Sequence, residues 1–484
     1  MSIDDDVTAT VDRPVPNLLT SLAEQPWGQV SASVYETGRL VSLAPWLPRH
    51  DERVKFLLDA QRGDGGWGPP EGYALVPTLS ATEALLAAGE PGAAGRGLEL
   101  LARLLAAAPP IPDTPAADLI VPALIEAITA RTGRSLPLPP GLDGARLAAV
   151  RRRFGAGAAV PPKLLHALEV LGDAARGVAG VVLAGPGTVG ASPAATAAWL
   201  SGPHPSPALA YLGDVVRRAG GPVPCATPIT VFERAWVLGS LTRAGVPFAA
   251  PDDLVSSLTA GWGPDGTAAA PGLPADADTT AVVLFALQEL GRPADTGVLR
   301  GYDTGAHFST WPGEDGASVT TNAHVLDALG AEPRHAGVAE RLTGWLCARQ
   351  EPGGAWHDRW HSSPYYATAC CVLALARFGR GPVAARAVDR AVAWVAANQR
   401  PDGSWGRWTG TAEETAYALH ALLAPGGPGV PPAASLSAAA GYLARPAGPP
   451  DPPLWHDKDL YAPHAIIRAA VLAAQHLARG RPAR

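Results

Sequence analysis

The chain has 484 residues, of which 17% are charged, and a net charge of −6. That length suggests two or three domains rather than one, and the mild acidity gives nucleic acid or an anionic membrane surface no footing. Four cysteines (Cys225, Cys347, Cys370, Cys371) without CxxC spacing point to a reduced, cytoplasmic protein with no disulfide framework.

In chain order, residues 1–6 are polar and acidic, with no basic or apolar stretch of the kind a signal peptide or anchor carries. Alanine-rich runs are broken by Gly, Pro or charge before they reach about 18 apolar residues, so no transmembrane segment is expected. Gln61-Arg-Gly-Asp-Gly-Gly-Trp67 opens a repeat that returns as Gln350-Glu-Pro-Gly-Gly-Ala-Trp356 and Gln399-Arg-Pro-Asp-Gly-Ser-Trp405, with a degenerate relative at residues 261–266. An Ala/Leu-rich helical stretch follows each turn (80–86, 279–290, 367–378, 411–423). A period of roughly fifty residues fits one helix pair per repeat, and alternating β-branched strand signals are scarce. The fold class is therefore all-α, built of stacked helix pairs. The repeat Gln and Trp are structural: the Gln amide can donate to carbonyls left open at a helix end, and the Trp buries a large apolar area over the turn.

Proline and glycine gather at residues 108–115, 137–141 and 220–224, and a fresh amphipathic helix follows at 227–238. A boundary near residue 225 is expected there. Beyond it, Asp276-Ala-Asp278-Thr279-Thr280 opens an apolar helical run. Acids at such a helix start serve either as N-caps or as a general acid whose surroundings free its proton. Lysine occurs only at Lys55, Lys163 and Lys458, so a lysine inside a motif attracts notice.

The glycine-flanked Gln/Trp repeats together with the Asp-x-Asp helix start resemble the class II terpene cyclases, which protonate an alkene to start ring closure. Residues 31–41 look like the first helix of that family's γ domain, and residues 360–369 and 454–463 are similar to segments of its bacterial members. The resemblance implies two α/α barrels, β and γ, with the substrate cavity between them. On this chain the division would be 1–27 (tail and first β helix), 28–225 (γ) and 226–484 (β). It also implies that Asp278 is the proton donor. The family's Asp-x-Asp-Asp pattern departs here, with Thr279 in place of the last acid. The Asp-x-Asp-Thr-Thr variant is similar to that of bacterial drimenyl-diphosphate synthases, which implies farnesyl diphosphate as substrate, with geranylgeranyl diphosphate and a copalyl or labdane-type product as the alternative.

From the residues, burial and the Asp276 charge are expected to keep Asp278 protonated. Thr279, Thr280 and Asn322 are expected to hydrogen bond its non-donating oxygen; for Asn322 and His324 a helix cap or satisfied core polar group competes with that role. Trp311, Trp360, Tyr365, Tyr366, Trp408 and Trp455 are candidates to face developing cations, with core packing as the competing reading. Lys458 is expected to hold the retained diphosphate, against an exposed surface lysine. Glu36 and Asp64 are candidate ligands for a Mg²⁺ cofactor, against solvated helix or turn residues. The partner is a small prenyl diphosphate, and the assembly a monomer or homodimer. Ionising cyclases need a longer acidic metal motif than Asp252-Asp253 offers, and protein prenyltransferases need a zinc site that these cysteines do not suggest. A non-catalytic helical toroid remains as a third reading.

Overall fold

The computed structural model describes residues 14–107, 110–200, 202–424, 433–446 and 450–480; the N-terminal tail up to residue 13 and Ala108–Pro109 of the first proline cluster lie outside them. Almost all regular structure is helical. In the C-terminal half, helices Thr230–Arg243, Ala277–Glu289, Val319–Leu329, Pro364–Phe378, Ala412–Leu422 and His464–Arg479 each pack on the next, and the last packs on the first. This is a closed inner ring. Outer helices Ala336–Ala348, Gly381–Ala397 and Ala433–Leu443 lie against successive inner pairs. The first helix, Pro14–Glu24, packs on His464–Arg479, and its Leu18, Leu19 and Leu22 share that barrel's core.

Residues between these parts close a second ring: Val34–Leu43, Leu75–Ala87, Ala117–Thr132, Gly144–Gly155, the 3₁₀ segment Leu168–Ala175, and Pro193–Trp199, which returns to Val34–Leu43. The inner helices of both rings are buried nearly all round, as in Leu75–Ala87 and Ala412–Leu422. This suits helices that face a lumen on one side and an outer layer on the other. The expected all-α, two-barrel architecture is what the chain adopts.

The Gln/Trp repeats stitch inner to outer helices. Trp67, Trp356 and Trp405 are fully buried. Their indole N–H groups donate to Leu57, Leu346 and Val395 carbonyls at the ends of the preceding outer helices, at 2.7, 2.9 and 2.7 Å. The Gln amides span the turn instead. Gln399 donates to Gly403 O (3.0 Å) and to Ser435 O in the next outer helix (2.9 Å), with Gln61 and Gln350 alike. So the indole, not the amide, satisfies the helix end expected of Gln. Gly403 sits at φ +90°, and a Cβ there would meet Ala438 O at 2.5 Å, so the turn requires glycine.

Trp405→Ala removes both the packing and the cap. It should cost about 3–5 kcal/mol, read as a lowered midpoint in a denaturant melt. A folded variant with wild-type stability and no activity would contradict the structural assignment.

Candidate active site

Between the rings lies a cavity of about 800 Å³, toward the upper end of small-molecule sites, which span about 300–1,000 Å³. Both rings supply its wall. The acid motif enters from the start of helix Ala277–Glu289. Asp276 is the N-cap: its carboxylate accepts from Thr279 N (2.6 Å) and Thr279 Oγ1 (3.0 Å). The capping explanation therefore holds for Asp276, while Asp278, in the first turn, lines the cavity. Burial pushes the Asp276 carboxyl up to about 7, against the Thr279 backbone hydrogen bond and with the Asp278 charge adding to the rise.

Asp278 pairs with a residue the sequence left ambiguous. His324 Nδ1 lies 2.8 Å from Asp278 Oδ1, across from the Val319–Leu329 helix. Burial disfavours the charged ring, but the negative Asp278 outweighs it and holds the His324 pKa well above the ordinary imidazole value. Trp236 packs edge-on against His324 at 5.6 Å, and its indole donates to Tyr366 Oη at 3.0 Å. An imidazolium donating to Oδ1 makes a proton on Oδ2 easier to release.

The three hydrogen-bonding partners expected for Asp278 serve elsewhere. Thr279 is spent on the cap. Thr280 Oγ1 ties to the Thr267 backbone (3.0 and 3.2 Å), and Asn322 bridges Phe308 N and O (2.8 and 2.9 Å). The physical reason is helical phase. Thr280 and Asn322 point into the packing between helix and preceding loop, where backbone groups need partners; Thr279 reaches the cavity wall but its hydroxyl turns back to Asp276, and His324 is the polar side chain of its helix that reaches Asp278. The signal for it, a His two residues after Asn322 in the helical run, was in the sequence.

Of the expected aromatics, Trp311, Trp360, Tyr366 and Trp455 line the cavity, joined by Phe232 and Tyr461. Phe232 and Tyr461 fall in segments already picked out, but nothing in the sequence tells an inward ring from a packed one. Tyr365 and Trp408 are corrections. Tyr365 stacks on Trp394 at 4.9 Å, outside the cavity wall. Trp408 donates to Glu71 Oε1 (3.1 Å) and packs on Tyr73. Tyr365 turns away because it is one helix position, about 100°, from Tyr366, and Trp408 lies in the loop before helix Ala412–Leu422.

Lys458 is neither on the surface nor in the cavity wall. It is 1% exposed, and its Nζ lies 2.5 Å from Glu36 Oε1, 2.8 Å from Glu169 Oε1 and 2.9 Å from Ser192 Oγ. Burial opposes its charge, but Glu169, Glu36 and Asp457 outweigh it and hold the ammonium above its ordinary pKa. An ammonium sealed by two carboxylates cannot take a diphosphate without breaking them. Glu36 is likewise spent, its Oε2 accepting from Ala194 N (2.6 Å) and Ser192 Oγ (3.1 Å). Asp64 binds Arg62 and Gly66 N in its own turn, away from the cavity. Neither carboxylate fits a Mg²⁺ site, and no group of three metal-ligating side chains occurs among the described residues.

The cations that do reach the cavity were missed. Lys163, Arg146 and Arg359 line it. Lys163 Nζ lies 5.3 Å from the Trp311 ring and Arg359 5.4 Å from the Trp360 ring. The indole nitrogens of Trp311 and Trp360 are buried with no hydrogen-bond partner. Burial lowers the Lys163 pKa, against the pull of Glu314. Arg359 bridges to Asp113 of the other ring at 2.7 Å, and Arg146 to Asp118 at 2.6 Å.

A cavity with a histidine-backed carboxyl, an aromatic wall and a cationic end defines a protonation-initiated cyclase. Residues 314–433 match the squalene-hopene cyclase C-terminal domain. The chain is 43% identical to an ent-copalyl diphosphate synthase from a Streptomyces species, over 96% of each chain. It is 44% identical to labda-7,13-dienyl diphosphate synthase of Streptomyces clavuligerus, over 94% of this chain and 91% of that one. The solved ent-copalyl diphosphate synthase of Streptomyces platensis superposes with a TM-score of 0.90 at 45% identity, covering 96% of this chain and 99% of that one. The chain belongs to the class II terpene cyclases.

His324→Ala leaves Asp278 in place without its donor. Turnover should fall by about a hundredfold or more, within the range general-acid catalysis contributes, while KM changes little. Steady-state kinetics that show a KM effect alone would remove His324 from the acid.

Proposed function

We propose that the protein protonates the terminal alkene of geranylgeranyl diphosphate through Asp278 and closes two rings with the diphosphate retained, giving a copalyl- or labdane-type diphosphate. The observation that carries this reading is that one cavity wall combines two chemistries: the Asp278 carboxyl, paired with His324, together with the rings of Tyr366 and Trp455, and the cations Lys163, Arg359 and Arg146. The farnesyl, drimane-type expectation gives way, because the relatives are named for copalyl and labdadienyl diphosphates.

The chemistry follows from the side chains. A tertiary carbocation is very unfavourable in water, so the site must hold a protonated carboxyl against the alkene and exclude solvent. Asp278 is the acid, His324 the positioning donor on its other oxygen, and Asp276 the cap that fixes the helix start. The faces of Tyr366, Trp455 and Phe232 offer negative π-density without a nucleophile; such contacts stabilise a cation by about 2 kcal/mol when desolvated. Elsewhere in the cavity wall, the unpartnered Trp311 and Trp360 N–H groups beside Lys163 and Arg359 make a donor set for a diphosphate. Asp113, Asp118 and Glu314 would give up these cations as the anion enters. We keep Mg²⁺ as its counter-ion, with Glu36 and Asp64 not its ligands. The division at about residue 225 stays part of this reading, supported by the separate cores on either side. So do a cytoplasmic setting, which suits four free thiols, and a monomer or homodimer; no described helix is long and apolar enough to cross a membrane.

Incubation with each prenyl diphosphate, then phosphatase treatment and mass spectrometry, should give a bicyclic C20 alcohol from the wild type and none from Asp278→Asn. Stoichiometric release of inorganic diphosphate during turnover would instead mean ionisation and sink the class II mechanism; a C15 product alone would restore the farnesyl reading.

Lys163→Ala should raise KM about ten- to a hundredfold, since a charge-assisted hydrogen bond is worth about 1.5–3 kcal/mol. Product identity should not change. An unaltered KM would move the anchor elsewhere.

A further inference from the structure

Behind the cavity wall lies a buried carboxylate that the chemistry above does not use. Glu413 is 2% exposed, in the first turn of helix Ala412–Leu422, and is not itself part of the wall. Its Oε1 accepts from the Trp455 indole N–H at 2.7 Å and from His361 Nε2 at 3.2 Å. His361 Nδ1 accepts from Ser363 N (3.0 Å), so the ring proton is on Nε2 and is donated to Glu413. We propose that Glu413 is a positioning residue for ring closure: it fixes Trp455 directly and Tyr366 through His361 and Tyr417, and it lends these rings negative charge against a cation in the cavity. This rests on the class II reading above.

The rings held in this way are neighbours. His361 stacks on Tyr366 at 4.7 Å, Tyr417 meets Tyr366 edge-on at 5.0 Å, and Trp455 lies 4.8 Å from Tyr366. Of the four, Trp455 and Tyr366 line the cavity, whereas His361 and Tyr417 do not. A hydrogen bond also joins Tyr417 to Glu413; burial and then the Glu413 charge hold that phenol well above its ordinary pKa. One carboxylate thus orients two wall rings from the rear. In a dry interior, hydrogen bonds in series polarise one another. An indole that donates to a carboxylate is richer in electrons, and its face attracts a cation more strongly.

Local structure does not call for a charge here. The helix start is already capped, with Thr411 Oγ1 accepting from Glu414 N (3.0 Å) and Asp451 accepting from Ala412 N (2.8 Å). Among the described residues no lysine or arginine pairs with Glu413; its partners are the His361, Trp455 and Tyr417 donors. A buried carboxylate without a cation carries a desolvation cost that hydrogen bonds only partly return. Apolar packing could hold the same rings without that cost. The charge is accounted for by a cation that comes and goes, the one formed in the cavity during turnover.

Glu413→Gln keeps an acceptor oxygen for Trp455 and removes the charge. With the prenyl diphosphate that the wild type cyclises, kcat should fall about tenfold, as for loss of part of a desolvated cation–π contact, while KM changes little. The products should shift as well, because a less stabilised cation loses a proton or takes up water before the second ring closes. One-ring diphosphates should grow at the expense of the two-ring product, read by gas chromatography and NMR of the dephosphorylated alcohols. Glu413→Asp keeps the charge but draws it back from Trp455 and His361. It should show a smaller shift in the same direction, and it decides the matter if Glu413→Gln does not fold by circular dichroism. An unchanged ratio of one-ring to two-ring product in the folded variants overturns this assignment, as does a rise in KM alone. No cyclised product from the wild type with any prenyl diphosphate would instead remove the class II reading, and this inference with it.

Discussion

The hairpin from Trp455 to Tyr461 ties the two rings together, and its Trp455, Asp457 and Tyr461 line the cavity between them. Within a few residues it places Trp455 against Glu413 and the aromatic wall, Asp457 on His166, Lys458 between Glu36 and Glu169, and Asp459 on Ser33 and Tyr35. The partners of Asp457, Lys458 and Asp459 lie in the other ring. Burying so many charges costs desolvation that ion pairing only partly offsets, so the cluster is a weak source of net stability. Its value is positional. Removing one member strands its partners, at about 3–5 kcal/mol for a buried pair, and an alternative docking of the rings would strand several at once. Burial pushes Glu36 up to about 7 even beside Lys458, a sign of how little water reaches this seam.

That dryness sets the chemistry available next door. The proposed reaction makes two demands of the cavity: a carboxyl aimed at the alkene with water excluded, and cations for the retained diphosphate. The two demands fall on different elements of the cavity wall. The acid stands on an inner helix of one barrel, backed by His324 from the next inner helix. Lys163 and Arg146 come from the other barrel.

The fold was legible to a large degree. Gln61, Gln350 and Gln399, each six residues before a Trp, define a repeat whose glycines and indole caps follow from local geometry, and a repeat of helix pairs closes into a ring with few alternatives. The site was legible in part. Asp276-Ala-Asp278 marks its own helix start, since a cap and a first-turn acid are sequence-local features. His324 was present but ambiguous, and Lys163 passed unremarked beside Lys458, because a lysine that is rare in composition carries no sign of the direction in which it points.

The sequence by itself determined the all-α architecture, the turn clamps and the position of the acid, all set by contacts among residues within a few turns of one another. Tertiary structure decided which side chains meet across hundreds of residues. It paired His324 with Asp278, sealed Lys458 between Glu36 and Glu169, turned Tyr365 and Trp408 away from the cavity, and brought His166 to Asp457, 291 residues distant. The reason is that local propensity fixes where a helix starts and which face is apolar, whereas the partner of a buried polar group is chosen by ring closure and by the docking of one barrel on the other.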